Sequence, residues 1–136
     1  MIVGIIGSGG REHAICAKIK ESPKISKIFC IPGNAGTKKI AENIDIKIDN
    51  FKSIKDFCIK SKIDLLIVGP EQPLVDGIVD YMEGSKVKVF GPNKIASQLE
   101  GSKIFTKKIC KKYKIPTANF KIFKNLIDAR EYLAHS

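Results

Sequence analysis

The chain has 136 residues, of which 43% are hydrophobic and 28% charged, and its formal net charge is +10 at pH 7. These values are typical of one globular domain, with or without part of a second, and they exclude a disordered chain. The apolar runs are too short to span a membrane, and the first begins at residue 2, which leaves no room for a signal peptide. We therefore expect a cytoplasmic protein with no membrane partner.

The basic excess does not by itself indicate a nucleic-acid-binding surface. Arg11 and Arg130 are the only arginines among the 24 basic residues, and the lysines are scattered singly or in pairs. Aromatic residues that would stack on bases fall instead at apolar-periodic positions, as at Phe29, Phe57 and Phe90. We interpret most of the charge as a solvated face and expect no nucleic-acid partner, with a basic nucleic-acid-binding module as the alternative.

Four cysteines, at positions 16, 30, 58 and 110, form no C-x-x-C pair and do not cluster with either histidine. Each lies in an apolar-periodic segment, where a free thiol behaves as a small buried hydrophobic group. We therefore predict neither a zinc site nor a disulfide framework, and a reducing compartment.

The N-terminal stretch from Met1 to His13 predicts a strand, a glycine-rich turn and a helix. β-Branched residues dominate positions 2 to 6, glycines occupy positions 7, 9 and 10, and apolar residues then recur with helical spacing. Glycines let an anion approach the N–H groups at the start of a helix. The dinucleotide fingerprint G-x-G-x-x-G fails at Glu12, and no carboxylate follows the second strand to hold a ribose. The turn therefore predicts a phosphate site and argues against a dinucleotide.

The chain then alternates strands and helices as far as residue 100. Apolar runs predict buried strands at 27–31, 63–68 and 86–90, a short edge strand at 44–48, and helices that begin near Asn50, Leu74 and Asn93. Four successive strand–helix steps with glycine-containing loops indicate a doubly wound α/β fold with a parallel sheet.

Two further polar loops follow predicted strands and are expected at the same sheet edge as the first turn. The loop from Pro32 to Thr37 is either a plain connection or a substrate-lining loop. Glu71 lies between two prolines at the end of a central strand. It either binds an amine, a hydroxyl or a metal, or caps the helix that follows.

The last third of the chain does not continue the alternation. We predict an amphipathic helix from Ser102 to Tyr113, a strand at 118–123, and a final helix capped by Asn125. This segment reads as the opening of a second domain, with a boundary near residue 100. A piece of this size has difficulty burying a core of its own.

Six phrases in this order and spacing resemble one family, phosphoribosylamine–glycine ligase. They are Gly7-Ser-Gly-Gly-Arg-Glu-His-Ala14, Pro32-Gly-Asn-Ala-Gly-Thr37, Val68-Gly-Pro-Glu71 with Pro73-Leu74, Phe90-Gly-Pro92, Leu99-Glu-Gly-Ser-Lys103 with Phe105 and Lys107, and Ile115-Pro-Thr117. Each phrase is weak alone, and together they are specific. The leading domain of another ATP-grasp carboxylase or ligase is the rival within the same fold.

The resemblance implies a Rossmann-like domain at 1–101 that precedes an ATP-grasp domain, of which 102–136 is the beginning. It also implies ligation of glycine to 5-phosphoribosylamine in purine synthesis, with ATP cleaved to ADP and phosphate and with magnesium or manganese as the metal. Glycine would be activated as an acyl phosphate that the sugar amine attacks. Because most of the ATP-grasp domain lies beyond residue 136, we expect the fragment to be inactive alone.

The resemblance and the loop chemistry together nominate substrate-binding residues. The phosphate is expected at the glycine turn with Arg11, the sugar hydroxyls at Asn34 and Thr37, and the amine at Glu71. Arg11 alternatively forms a structural ion pair with Glu12. The full substrate set is Gly7, Ser8, Gly9, Gly10, Arg11, Glu12, Asn34, Gly36, Thr37, Gly69, Pro70 and Glu71, and Lys103 and Lys107 are the nucleotide-binding candidates. No metal ligand and no catalytic residue is assigned within this chain.

Overall fold

A computed structural model describes residues 1–135. Its contacts divide the chain into two compact units, Met1–Gly101 and a second unit that begins at Ser102. Among the described residues, no helix is long and apolar enough to cross a membrane.

The first unit is built on a five-stranded sheet in which every pair of neighbours is parallel. Its strands lie in the order β3-β2-β1-β4-β5. Their bounds are β1 Ile2–Gly7, β2 Lys27–Pro32, β3 Glu42–Asn43, β4 Leu65–Val68 and β5 Lys88–Phe90. The predicted doubly wound α/β class is confirmed.

Helices follow the strands of this unit, and the one predicted to start near Leu74 begins three residues earlier, at Glu71. They are α1 Gly10–Lys20, α2 Phe51–Lys60, α3 Glu71–Asp76, α4 Ile78–Tyr81 and α5 Lys94–Gly101, with a short 3-10 helix Thr37–Lys39. The Asn50 carboxamide oxygen accepts a hydrogen bond from the Ser53 N–H at 3.0 Å, which confirms the predicted cap of α2.

Both faces of the sheet are covered at its centre, which explains why the central strands β1, β2 and β4 are largely apolar. Consecutive residues of β1 point to opposite faces, and Ile5 and Ile6 are both fully buried. Ile6 belongs to a core formed with α2, α3 and α4, whereas Ile5 packs in a second core with Cys16 of α1. The two cores fix the strand ends that carry the polar loops.

Several strand predictions differ from the structure. No strand forms at 44–48, and the edge strand is instead the two-residue β3 at Glu42–Asn43. Ile44, Ile46 and Ile48 nevertheless pack against one core, as their period-two spacing predicts. The strands predicted at 63–68 and 86–90 begin two residues later.

The second unit contains helices α6 Lys103–Tyr113 and α7 Leu126–Ala134. Ser102 and Asn125 cap them through side-chain oxygens that accept N–H bonds of 3.2 and 2.9 Å from Phe105 and Asp128. The strand predicted at 118–123 is wrong, because this segment is irregular and the described part of the unit offers no strand to pair with it. None of the described residues of this unit is buried.

Candidate functional site at the carboxyl edge of the sheet

The polar loops meet where the strand order reverses. β1 lies between β2, which follows it in the chain, and β4, which comes after the excursion to the edge strand β3. In open parallel sheets the crevice at such a switch point lies beyond the carboxyl ends of the strands. Here it is bounded by the glycine turn that follows β1 and by the Gly69–Glu71 segment that follows β4.

A cavity of about 350 Å³ occupies this crevice. It lies at the start of α1, whose first turn carries backbone N–H donors and the positive end of the helix dipole. The lining residues are Gly7, Ser8, Gly9, Gly10, Arg11, Glu12, Ile48, Pro70 and Glu71. Eight of these were nominated from the sequence, and Ile48 was missed because its isoleucine pattern resembled an ordinary edge strand.

Glu12 is the buried charge of the site, at 5% exposure. Its Oε2 atom accepts the N–H of Gly9 at 2.6 Å, so the carboxylate reaches back over the turn as the third residue of a helix often does. A Cβ at Gly7 would lie 2.6 Å from Glu12 Cδ, and one at Gly69 would collide with Glu12 Oε1. Glycines from two loops therefore make room for this one side chain.

Arg11 links the glycine turn after β1 to the Gly69–Glu71 segment after β4. Its Nη1 atom donates to the carbonyl oxygen of Gly69 at 2.6 Å, and its Nη2 atom pairs with Glu71 Oε1 at 3.0 Å. The proposed ion pair between Arg11 and Glu12 is wrong, because the partner of Arg11 is Glu71. Both side chains of the pair are about half exposed, at 58% and 45%.

The electrostatics of this pair are mutual. The pKa of Glu71 lies below its usual value for two reasons. The larger is a hydrogen bond from the backbone N–H of Glu71 to its own carboxylate, and the second is the contact with the Arg11 guanidinium. The same contact, first as a hydrogen bond and then as charge attraction, raises the pKa of Arg11. Glu71 is also the first residue of α3, so its carboxylate lies where helix N-termini favour negative charge.

The Pro32–Thr37 loop packs beside the cavity, and its polar atoms are used within the protein. The Asn34 amide donates to the carbonyl oxygens of Ser8 and Gly9 at 2.9 and 3.1 Å, and its oxygen accepts the N–H groups of Gly36 and Thr37. Thr37 is fully buried and donates to Asn43 Oδ1 at 2.8 Å. These residues fix the shape of the first turn and do not line the cavity.

His13 was missed as a contact between the same two loops. Its ring lies against Gly36, where a Cβ would come within 2.8 Å of His13 Cε1. Position 36 therefore accommodates the ring because it is glycine.

The two nucleotide candidates in the second unit differ in their surroundings. Lys107 Nζ donates to Thr117 Oγ1 at 2.7 Å and to the Ala118 carbonyl oxygen at 2.9 Å, so it holds the segment after α6. Lys103 is exposed at the first position of α6. The two lysines therefore have different roles within this unit.

A second cavity, of about 1020 Å³, lies at the opposite, amino edge of the sheet. Its floor is apolar and its rim carries Lys62, Lys86 and Lys88. It contains none of the residues nominated from the sequence. Among the described residues, no group of three or more histidine, cysteine or acidic side chains is arranged to hold a metal ion.

These features define a doubly wound α/β domain whose polar loops converge at the switch point between β1 and β4. A sequence model of the family described as "Phosphoribosylglycinamide synthetase, N domain" matches residues 1–100. The chain belongs to this family.

Relatives with assigned names are similar over nearly the whole chain. The phosphoribosylamine–glycine ligase of Caldanaerobacter subterraneus subsp. tengcongensis is 48% identical over 133 residues, which are 98% of this chain and 32% of that protein. The ligase of Mesorhizobium japonicum is 47% identical, with 98% and 31% covered. The chain thus spans about a third of the length of these relatives.

Solved structures show the same fold. The phosphoribosylamine–glycine ligase of Thermotoga maritima superposes with a TM-score of 0.72 at 29% identity, over 99% of this chain and 30% of that one. The N5-carboxyaminoimidazole ribonucleotide synthetase of the same organism gives a TM-score of 0.69 at 24% identity, over 96% and 36%. The second likeness shows the fold alone.

Proposed function

We propose that this chain is the substrate-binding N-terminal part of an ATP-dependent ligase that joins glycine to 5-phosphoribosylamine and yields glycinamide ribonucleotide, ADP and phosphate. Residues 1–101 form the Rossmann-like domain and residues 102–136 begin an ATP-grasp domain. The observation that carries the proposal is the cavity at the switch point, where helix N–H donors, a guanidinium and two carboxylates meet in a chain of this family.

The mixed chemistry of the cavity fits an amino sugar phosphate. The first turn of α1 and Arg11 offer donors to a phosphate. Glu12 and Glu71 offer acceptors to an amine or hydroxyls. Asn34, Gly36 and Thr37 support the binding loop through their internal hydrogen bonds and their packing.

Arg11 is shared between two anions in this proposal. A phosphate that binds the guanidinium competes with Glu71, and because the pair is exposed, exchanging one partner for the other costs little. The alternative function is that of the leading domain of another ATP-grasp carboxylase or ligase, which shares this fold. The sequence motifs and the family match favour the glycine ligase.

Lys103 is the better of the two nucleotide candidates, since its ammonium is exposed whereas Lys107 is bonded within its unit. ATP and a divalent metal belong to the longer protein in this proposal. The proposal also includes a reducing, cytoplasmic setting for the protein, because all four cysteines are free thiols.

The direct test is a chimera in which residues 1–136 replace the matching N-terminal third of the Caldanaerobacter ligase. We expect ATP-dependent formation of glycinamide ribonucleotide by the chimera and none by the 136-residue chain alone. Arg11→Ala in the chimera should raise the KM for phosphoribosylamine about tenfold. A folded but inactive chimera, activity of the isolated chain, or an unchanged KM would each contradict the corresponding part of the proposal.

A further inference from the structure

We propose that Glu12 recognises the amine of the amino sugar phosphate, with its Oε1 atom as the hydrogen-bond acceptor. This inference rests on the function proposed above. It moves the amine from Glu71, where sequence analysis put it, to the neighbouring buried carboxylate.

The first observation is that only half of the Glu12 carboxylate is engaged. Oε2 accepts the Gly9 N–H at 2.6 Å, whereas Oε1 has no hydrogen-bond partner among residues 1–135. Every side-chain polar atom of the described residues that is sealed from solvent has a partner, so Oε1 retains access to solvent. Glu12 is also one of the residues that line the cavity.

The second observation is the precision with which this carboxylate is held. Gly7, Gly9 and Gly69 each leave a space that a Cβ would take from the Glu12 side chain. Because Gly7 ends β1 and Gly69 follows β4, backbone from two strand ends confines the Glu12 carboxylate. A fixed acceptor discriminates between ligands better than a mobile one, since it does not move to suit a different group.

The third observation separates the two carboxylates by charge. Glu71 is about half exposed, and its negative charge is already paired with the Arg11 guanidinium. Glu12 is only 5% exposed and has no ion-pair partner among the described residues. An amine that donates an N–H bond gains more from the unpaired, buried carboxylate of Glu12, because the local dielectric is lower there.

The fourth observation concerns what Glu12 excludes. Its carboxylate already accepts the Gly9 N–H, which in a dinucleotide-binding turn would face a pyrophosphate. A second anion at that place would meet a negative charge. The phosphate therefore binds on the Gly10 and Arg11 side of the turn, and the amine binds on the Glu12 side.

The test compares two stable carbocyclic analogues of ribose 5-phosphate, one with an amine and one with a hydroxyl at the position of the sugar C1. Calorimetric titration of the 136-residue chain should show about tenfold tighter binding of the amine. Glu12→Gln keeps an oxygen for Gly9 and presents a neutral amide, so it should abolish this preference while changing the affinity for the hydroxyl analogue less than threefold. Glu71→Gln is the matched control and should retain the preference.

The outcomes separate this inference from the proposed function. If the amine preference survives in Glu12→Gln, or is lost only in Glu71→Gln, the amine is not recognised by Glu12 although the ligand class stands. If neither analogue binds the native chain, the proposed substrate is refuted and the inference with it. The ¹³C resonance of the Glu12 carboxyl in the unaltered chain provides a readout that needs no variant, and it should shift with the amine analogue more than with the hydroxyl analogue.

Discussion

The two edges of the same sheet carry cavities of opposite character. At the carboxyl edge, about 350 Å³ is lined by glycine backbone, one arginine and two carboxylates. At the amino edge, a cavity of about 1020 Å³ has an apolar floor and a rim of lysines. The smaller cavity is the better candidate site, because polar groups that converge on a ligand are more informative than volume.

The difference follows from the direction of the strands. In a parallel sheet every strand ends at the same edge, and the helix that follows begins there with free N–H groups. Gly7 ends β1 and Gly69 follows β4, so two strands deliver glycine backbone to one place. The amino edge receives helix C-termini, and the donors around its cavity are lysine side chains instead of helix N–H groups.

The largest loss of stability should come from filling the space beside Gly69, which follows β4. Gly69→Ala places a methyl group against the Glu12 carboxylate, and we expect a loss of about 3 kcal/mol in the free energy of unfolding. Gly10→Ala is the control, since nothing lies within 4 Å of its Cβ, and it should change stability by less than about 0.5 kcal/mol. Urea unfolding measures both. Equal effects would show that Glu12 does not depend on Gly69.

The second effect tests whether the loop beside the cavity is fixed from within. Thr37→Val removes a fully buried hydroxyl that bonds Asn43 and both backbone groups of Asn34, and we expect a loss of about 2 kcal/mol. At the amino edge, Ser85→Ala removes one hydroxyl contact of 3.3 Å and should cost less than about 1 kcal/mol. A Thr37 variant as stable as the native chain would contradict this account of the loop.

A third prediction concerns the pH dependence of the ion pair. The pKa of Glu71 is lowered in the folded chain, so its stabilising effect is present at neutral pH and is lost as the pH falls below the usual carboxyl range, through the folded pKa. Arg11→Ala should raise the pKa of Glu71 only part of the way back, because the backbone hydrogen bond remains. An NMR titration of the Glu71 carboxyl measures this. A pKa that does not move would show that Arg11 is not a cause of the shift.

The smallest effect should come from charge reversal at the amino edge. Lys86→Glu with Lys88→Glu should leave the affinity for ribose 5-phosphate within about twofold, because β4 alone separates the edges by roughly 13 Å and salt screens exposed charges over about 10 Å. Arg11→Ala should weaken the same affinity about tenfold. A loss of similar size in the double variant would show that the phosphate binds at the amino edge instead.

Local patterns predicted much of this molecule. The start of β1, its glycine turn, the caps at Asn50 and Asn125 and the parallel class all follow from neighbouring residues. Contacts between side chains far apart in the sequence could not be predicted from neighbouring residues. Arg11 pairs with Glu71 at a separation of 60 residues, whereas the ion-pair partner named from the sequence was the adjacent Glu12.

The part of the site that sequence reasoning missed is steric. Gly69 was nominated only as a substrate-binding residue, and its steric role is visible only when Glu12 is seen to occupy the space of its absent side chain. Likewise, Asn34 and Thr37 are polar residues in a loop, which suggested direct ligand contacts. The structure instead uses both side chains in hydrogen bonds within the protein.

Glu12 occupies the position at which G-x-G-x-x-G would require its third glycine. Glutamate and glycine codons differ by a single nucleotide, so the complete fingerprint lies one point mutation away from this gene. That mutation would remove the carboxylate around which Gly7 and Gly69 are arranged and leave a void between two strand ends. A single nucleotide thus separates two glycine-rich turns whose interiors are filled differently.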